Sequence, residues 1–159
     1  MKKLTCILIS LTLLFSLNTT VQAAYSAPEP EFTSSTNAED LGDGYYGVTS
    51  IDKSGISAYS SGNRTGSIYY DIKDSSGNIE ARFKLTGNFT YSSTSVTCTS
   101  ATYSTVINDK SWSFKDISVS KSGATATATF TAVRKVLGIT VKSIPKTITL
   151  SCDKNGNLY

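Results

Sequence analysis

Histidine is missing from the sequence, which removes the side chain that enzymes use most often for proton transfer near neutral pH. Ser-His-Asp and Cys-His catalysis are therefore excluded, as are the usual transition-metal sites. Carboxylates remain, because two acids across a cleft hydrolyse glycosidic bonds when one has a raised pKa. We predict instead that the acids after residue 44 are exposed surface charges, with no catalytic residue and no cofactor. These acids are Asp52, Asp71, Asp74, Glu80, Asp109, Asp116 and Asp153.

Cysteine chemistry is the next candidate. Cys98 and Cys152 lie in the main part of the chain, whereas Cys6 lies in the N-terminal apolar segment. An even pair in an exported chain predicts a disulfide between Cys98 and Cys152. The alternatives are two free thiols or a metal site. A structural zinc ion needs four ligands, however, and no histidine is present to complete the set.

The segment 153–157 places Asp153, Asn155 and Asn157 at the first, third and fifth positions of a calcium-binding loop. Leu158 stands where such a loop needs glycine, and no bidentate glutamate follows. A turn after the last strand explains the segment better, and we predict no metal site.

Aromatic residues offer binding surfaces rather than catalysis. Tyr69, Tyr70 and Trp112 are candidate surface aromatics that stack on sugar rings or contact a protein partner. Tyr69 and Tyr70 are adjacent in a predicted strand, so they point to opposite faces of it. Packing on a half-buried sheet is the other interpretation. Basic and aromatic residues do not alternate densely enough to indicate nucleic-acid binding.

The N-terminus has the pattern of an export signal. Lys2 and Lys3 precede an apolar run over residues 4–17, and small residues at Val21 and Ala23 form a cleavage site. The apolar run is shorter than the ~20 residues that span a bilayer, so we expect no transmembrane segment in the mature form. We predict a signal peptide over 1–23 and a secreted, extracellular protein.

Two segments of different composition follow the signal. Residues 24–44 contain prolines, serines and five acids without a basic residue, which predicts a disordered acidic leader. Residues 45–159 hold 13 basic and 7 acidic residues and many β-branched and aromatic residues, which predicts one β-domain that is mildly basic.

Strict alternation marks the clearest strand, over 79–91, where Ala81, Phe83 and Leu85 share the predicted buried face. A hairpin links it to a strand over 67–73. Other strands are predicted at 45–51, 56–59, 96–107, 112–119 with a bulge near Lys115, 124–133, 136–141 and 146–152. Pro145 separates the last two. The fold class is all-β: a single antiparallel sandwich, or a barrel, of about 8–9 strands.

The order Cys98, Trp112, Cys152 is similar to the immunoglobulin core, in which a tryptophan packs on a disulfide between sheets. Leu150 stands where that fold has a tyrosine. A wider resemblance lies in 87–91, 98–100, Trp112, 121–123, 134–139 and 150–152. In these segments the chain resembles uncharacterised short secreted β-rich proteins of Gram-positive bacteria. Their motifs are turns and a disulfide, so the resemblance implies no activity.

These observations favour a non-enzymatic extracellular domain that binds a glycan or protein at or near the cell envelope, or has a structural role there. A secreted effector, such as a toxin or an inhibitor, is the alternative. A two-carboxylate glycosidase ranks third.

Overall fold

The computed structural model describes residues 38–52 and 61–159, and every regular element in them is a β-strand. The predicted signal peptide, most of the predicted leader and the predicted strand at 56–59 lie outside the described residues. The eight strands are β1 Ala38–Gly42, β2 Tyr45–Asp52, β3 Ser61–Lys73, β4 Ile79–Ser92, β5 Val96–Ile107, β6 Trp112–Ser122, β7 Thr125–Val136 and β8 Ile139–Ser151.

The strands form two antiparallel sheets that pack together as a sandwich. The larger sheet has the order β1-β2-β3-β4-β5 and the smaller has the order β6-β7-β8. The predicted all-β antiparallel sandwich is confirmed. Neighbouring strands in each sheet also follow one another in sequence, which differs from the Greek-key order of the immunoglobulin fold.

The alternation over β4 places its apolar residues in the core, as predicted. Ala81, Phe83, Leu85 and Phe89 are buried between the sheets, while the intervening polar residues face outward. A slip of one residue would expose the whole apolar set, so the alternation specifies the register of β4 against β3 and β5.

The core centres on aromatic residues from both sheets. Phe83 of β4 stacks on Phe130 of β7 with ring centroids 4.0 Å apart, and Phe114 of β6 meets both rings edge-on. Ala128 and Ala132, on either side of Phe130, are buried. Small residues on β7 thus allow the sheets to approach closely around one large ring, as the alanine–threonine alternation predicts.

Two irregularities in the smaller sheet bear on the prediction. The β6–β7 register shifts between Lys115 and Ser118, which confirms the predicted bulge. The expected break at Pro145 is wrong, because β8 runs through this residue and Pro145 lies opposite Thr131 of β7. β8 is an edge strand, and there a proline need not donate to a neighbouring strand.

The boundary of the predicted leader is also wrong at its C-terminal end. β1 occupies Ala38–Gly42 and pairs with β2, and Leu41 is buried in the core. One of the acidic side chains that suggest disorder instead stabilises the β1 edge of the sandwich, because Glu39 forms an ion pair with Lys146 of β8. One apolar residue among acids gives too weak a pattern to predict a strand.

Because consecutive strands run in opposite directions, the connections alternate between the two ends of the sandwich. The β1–β2, β5–β6 and β7–β8 connections meet at one end, which we call the hairpin end. There Arg134 contacts Asp43, and the Lys135 amide donates to the Ser111 carbonyl. The β6–β7 turn, the start of β5 and the C-terminal residues lie at the other end, which we call the thiol end.

Candidate functional site

Two carboxylates serve as caps of identical turns. In the turns 74–78 and 153–157, one aspartate oxygen accepts two backbone N–H groups and the other accepts the side chain of a terminal asparagine, Asn78 or Asn157. These hydrogen bonds lower the pKa of Asp74 and of Asp153. The calcium-like spacing therefore reflects turn chemistry, and the described residues contain no cluster of three or more metal-ligating side chains.

Asp71 is buried, so the prediction that it is an exposed surface charge is wrong. It has a structural partner on the outer face of the larger sheet. Its carboxylate accepts two hydrogen bonds from the Arg82 guanidinium, at 2.6 and 2.7 Å, which makes a bidentate ion pair between β3 and β4. The Arg82 guanidinium also lies 4.9 Å from the centre of the Tyr69 ring. This contact covers the one candidate aromatic that faces outward.

Glu80 and Asp109 are the carboxylates closest to an acid–base pair. Partial desolvation, followed by the charges of Asp74 and Asp109, raises the pKa of Glu80. Hydrogen bonds from Ser111 lower the pKa of Asp109. Environments that differ in this way are used in glycosidases. Glu80 is only partly buried on β4, however, so water reaches its carboxylate.

The candidate aromatics lie mostly inside the molecule. Trp112 and Tyr70 are each only 2 % exposed, so the prediction of surface aromatics is wrong for both. Tyr70 points inward against Phe130, and the Tyr45 ring packs edge-on against Trp112. A strand position fixes which face a side chain occupies, but the opposite sheet decides whether that face is covered.

Burial of Tyr70 has a measurable consequence. Desolvation, and then the charge of Glu39, raises the pKa of this phenol far above its usual value near 10, and among the described residues its hydroxyl has no hydrogen-bond partner. Above about pH 10 the unfolded chain ionises here and the folded chain does not, so stability is lost as pH rises. Tyr70→Phe is expected to raise the free energy of unfolding by about 1 kcal/mol at neutral pH, and by more at higher pH.

Urea unfolding at pH 7 and at alkaline pH measures this difference. Tyr69→Phe is the matched control, because Tyr69 lies on the outer face of the same strand and is only partly buried. Equal pH dependence of Tyr70→Phe and the wild-type protein would contradict the assignment.

The cysteines meet at the thiol end. The amide of Cys98 donates to the Gly123 carbonyl at 2.7 Å, and the amide of Cys152 donates to the Ala124 carbonyl at 3.1 Å. Two consecutive carbonyls thus hold both cysteine backbones beside one turn. Both residues are buried, and the structure has them as free thiols, without the predicted disulfide. Burial raises the pKa of each thiol, which disfavours a nucleophilic role.

Trp112 lies far from these cysteines. It begins β6, whereas Cys98 contacts the turn that follows the other end of β6. Eleven residues of strand separate them, which is roughly 30 Å. The immunoglobulin arrangement of a tryptophan on a disulfide is therefore absent from this fold.

The most unusual exposed surface is the tip of the β7–β8 hairpin, residues 135–141, in which every residue is exposed. Leu137 is 98 % exposed and Ile139 is 70 % exposed, and Val136 and Val141 are also exposed apolar residues. The sequence pattern predicts one strand over 136–141, and this prediction is wrong. The chain instead reverses direction between Val136 and Ile139, which pair directly.

Leu137 and Gly138 form the two-residue turn of this hairpin, with φ values of 51° and 82°. Positive φ at both central positions is typical of a type I′ turn, in which Asn-Gly or Asp-Gly is preferred. The β1–β2 turn follows that preference with Asp43-Gly44, at φ values of 56° and 78°. A leucine in this conformation is strained by about 1 kcal/mol. The apolar side chain at the tip is therefore unfavourable for folding.

The base of the hairpin is rigid and cationic. The Arg134 guanidinium lies 4.4 Å from the centre of the Tyr45 ring and pairs with Asp43 at 3.1 Å. Lys135 and Lys142 follow on the two strands, and Lys110 lies in the adjacent β5–β6 connection. The apolar tip thus lies beyond a base that carries Arg134 and three lysines.

Comparison with protein-family models, with curated proteins and with solved structures finds no match for this chain. Over residues 38–52 and 61–159 the structure establishes the class of the protein as an eight-stranded antiparallel sandwich with sequential strand order. In the described part of the chain, no helix is long and apolar enough to span a membrane.

Proposed function

We propose that this protein is an exported, non-enzymatic domain that binds at the cell envelope, and that the tip of the β7–β8 hairpin is its contact surface. Export rests on the signal-peptide pattern of residues 1–23. Binding rather than catalysis is supported by the lack of histidine and by the carboxylates that are already engaged in turns and in the Asp71–Arg82 pair.

One observation carries the proposal: Leu137 is almost fully exposed and has positive φ. A side chain with such high exposure buries little surface within its own domain, so it adds little to folding stability. Its backbone conformation is also strained. Residues that are unfavourable for folding concentrate at functional sites, because a partner supplies the contacts that the fold does not.

A secreted effector remains the second candidate, and the same hairpin favours it. A rigid loop on a β-sandwich is a common way to present a binding element, and a toxin or an inhibitor would use the tip to reach its target. The two functions predict different effects of the culture supernatant on other cells and enzymes. An effector inhibits growth of a competitor or inhibits a target enzyme, whereas an envelope-binding domain remains with the producing cell.

The disulfide between Cys98 and Cys152 belongs to the same proposal. Outside the cell the two thiols would lose two protons and two electrons to a disulfide-bearing oxidant and form one covalent bond. The positions of their backbones, beside consecutive carbonyls of one turn, support the pairing. The bond would tie the start of β5 in one sheet to the end of β8 in the other.

The proposal is tested by co-sedimentation of the secreted chain with isolated envelopes of the producing bacterium. Leu137→Asn is the informative variant, because Asn-Gly is a preferred type I′ pair. We expect binding to fall by about tenfold or more. We also expect the free energy of unfolding to rise by up to about 1 kcal/mol.

Tyr159→Asn is the matched control, since it removes another exposed apolar side chain at the thiol end. This variant should bind envelopes like the wild-type protein. Equal binding of Leu137→Asn and the wild-type protein would rule out the hairpin tip as the contact surface. The absence of any envelope binding by the wild-type protein would rule out the function itself.

A further inference from the structure

We propose that the partner of the hairpin tip is an anionic lipid bilayer, into whose surface Leu137 and Ile139 insert while lysines at the base contact the headgroups. This inference rests on the proposed function, because it takes the tip as the binding element and names the chemistry of its partner.

The apolar part of the tip has the dimensions of an interfacial anchor. Four exposed apolar residues lie within 136–141, and Leu137 stands at the apex. Strand residues rise by roughly 3.3 Å each, so the last three residues of a hairpin reach about 10 Å. Interfacial segments bury their apolar side chains to about 5–10 Å in the headgroup region. The tip therefore reaches the acyl boundary without unfolding.

The backbone of the tip is partly paired internally, which suits it to the hydrated headgroup region and the acyl boundary rather than to the hydrocarbon core. Unpaired N–H and C=O groups are strongly unfavourable there, so a segment that inserts must pair them internally. Val136 and Ile139 pair directly across the turn, and Lys135 pairs with Thr140. The two turn residues and Val141, where the β7–β8 register shifts, lie outside the ladder, and a two-residue turn is the shortest common connection of a hairpin.

Charge at the base selects the kind of lipid. Lys110, Lys135 and Lys142 have no ion pair within 38–52 and 61–159, whereas Arg134 is held by Asp43. Three other carboxylates lie at this end. Asp109 accepts hydrogen bonds from Ser111, Asp40 accepts one from the Gly42 amide, and Glu80 lies beside the β5–β6 connection. Four carboxylates thus match the four cations at this end in number. The selection of an anionic lipid rests on the three lysines without an ion pair, each of which strengthens binding to an anionic surface by about fivefold. Anionic headgroups complement this base, and a neutral surface does not.

Shape favours a bilayer over a groove in a partner protein. Arg134 and Lys135 precede the apolar residues on β7, and Lys142 follows them on β8, so polar and apolar zones succeed one another along the hairpin axis. A bilayer has the same order along its normal, with charged headgroups outside and hydrocarbon inside. A protein groove or a second copy of the chain is therefore the competing outcome of the test.

Sedimentation with lipid vesicles tests the inference with the secreted chain. Vesicles of equimolar phosphatidylglycerol and phosphatidylcholine are compared with vesicles of phosphatidylcholine alone. We expect binding to the anionic vesicles only, weaker binding at high salt, and a loss of about tenfold or more in Leu137→Asn. Lys135→Gln with Lys142→Gln should weaken binding while the apolar tip stays intact, and Tyr159→Asn should bind like the wild-type protein.

A spectroscopic measurement checks insertion directly. Leu137→Trp places an indole at the apex, and its emission should move to shorter wavelength with anionic vesicles and stay unchanged with neutral ones. The native Trp112 is buried and provides the baseline in the wild-type protein. An unchanged spectrum with anionic vesicles contradicts insertion.

The outcomes separate this inference from the function on which it rests. If Leu137→Asn weakens binding to envelopes but neither protein binds vesicles, the partner is a glycan or protein, and the lipid inference is wrong while the function stands. If the wild-type protein forms a dimer that Leu137→Asn disrupts, the tip is an interface between copies, and the lipid inference is again overturned. If the wild-type protein binds vesicles but Leu137→Asn binds equally, the tip is not the anchor.

Discussion

Phe83→Ala is expected to lower the free energy of unfolding by about 4 kcal/mol. Phe83 is completely buried and stacks on Phe130 with ring centroids 4.0 Å apart. Its ring also meets Phe114 edge-on at 5.6 Å and stacks on Tyr103 at 5.5 Å. The substitution removes apolar contact area, leaves a cavity between two sheets and breaks ring pairs worth about 0.5–1.5 kcal/mol each.

Urea unfolding followed by circular dichroism measures this loss, with the dependence on urea unchanged if the change is in stability alone. Tyr103→Ala is the matched control. Tyr103 touches the same Phe83 ring but is half exposed at the edge strand, so its removal should cost about 1 kcal/mol. Losses of similar size in both variants would mean that the core is not centred on Phe83.

This cluster shows how far the sequence predicts the fold. The alternation along β4 assigns Phe83 to the buried face, because strand side chains point to opposite sides in turn. The same reasoning assigns Phe130 to the inner face of β7. That these two rings face each other follows from the pairing of two sheets, which depends on contacts between residues far apart in sequence. Periodicity within one strand carries no information about them.

The hairpin tip marks the opposite case. Val136, Ile139 and Val141 have the composition of a buried strand, and the alternation of 136–141 predicts one. What exposes them is the length of the hairpin beyond the sandwich, which only the three-dimensional arrangement determines. A weak signal was present, because Leu-Gly between two β-branched runs has the spacing of a two-residue turn. Two-residue hairpin turns prefer Asn-Gly or Asp-Gly, and leucine is not a typical turn residue, so Leu137-Gly138 does not predict a turn.

A similar limit applies to β8. Pro145 predicts a break because a proline cannot donate to a neighbouring strand. The break does not occur, since β8 pairs on one side only, with β7. Strand order therefore decides whether a proline ends a strand, and strand order is not visible in local sequence. The prediction that Tyr70 and Trp112 are surface aromatics is wrong for a related reason. The packing of the two sheets covers both side chains, and this packing is not visible in local sequence either.

Loss of the proposed Cys98–Cys152 disulfide is expected to lower the free energy of unfolding by about 4 kcal/mol. The bond would close a long loop, from the start of β5 to the end of β8, and so would restrict the unfolded chain. The folded geometry requires little movement, since both cysteine backbones are hydrogen-bonded to consecutive residues of one turn. A loss of this size is a large share of the stability of a small domain.

The state of the thiols adds a kinetic expectation. Burial raises the pKa of both thiols, so few thiolates exist in the folded, reduced protein at neutral pH. Since the thiolate is the reactive form, oxidant added after folding should act slowly, whereas oxidant present during refolding should act fast. We therefore expect the proposed bond to form before the two sheets close over the cysteines.

Mass spectrometry of the secreted chain under denaturing, non-reducing conditions should show a mass lower by two hydrogens and no alkylated thiol. Thermal and urea unfolding then compare the oxidised wild-type protein with Cys98→Ala/Cys152→Ala. The same pair in reducing buffer is the control, and there the two proteins should unfold within about 1 kcal/mol of each other. Two alkylated thiols in the secreted chain would contradict the bond, and equal stability of oxidised protein and double variant would contradict its role. Neither result bears on the proposal that the apolar hairpin tip is the contact surface, because the cysteines and the hairpin lie at opposite ends of the sandwich.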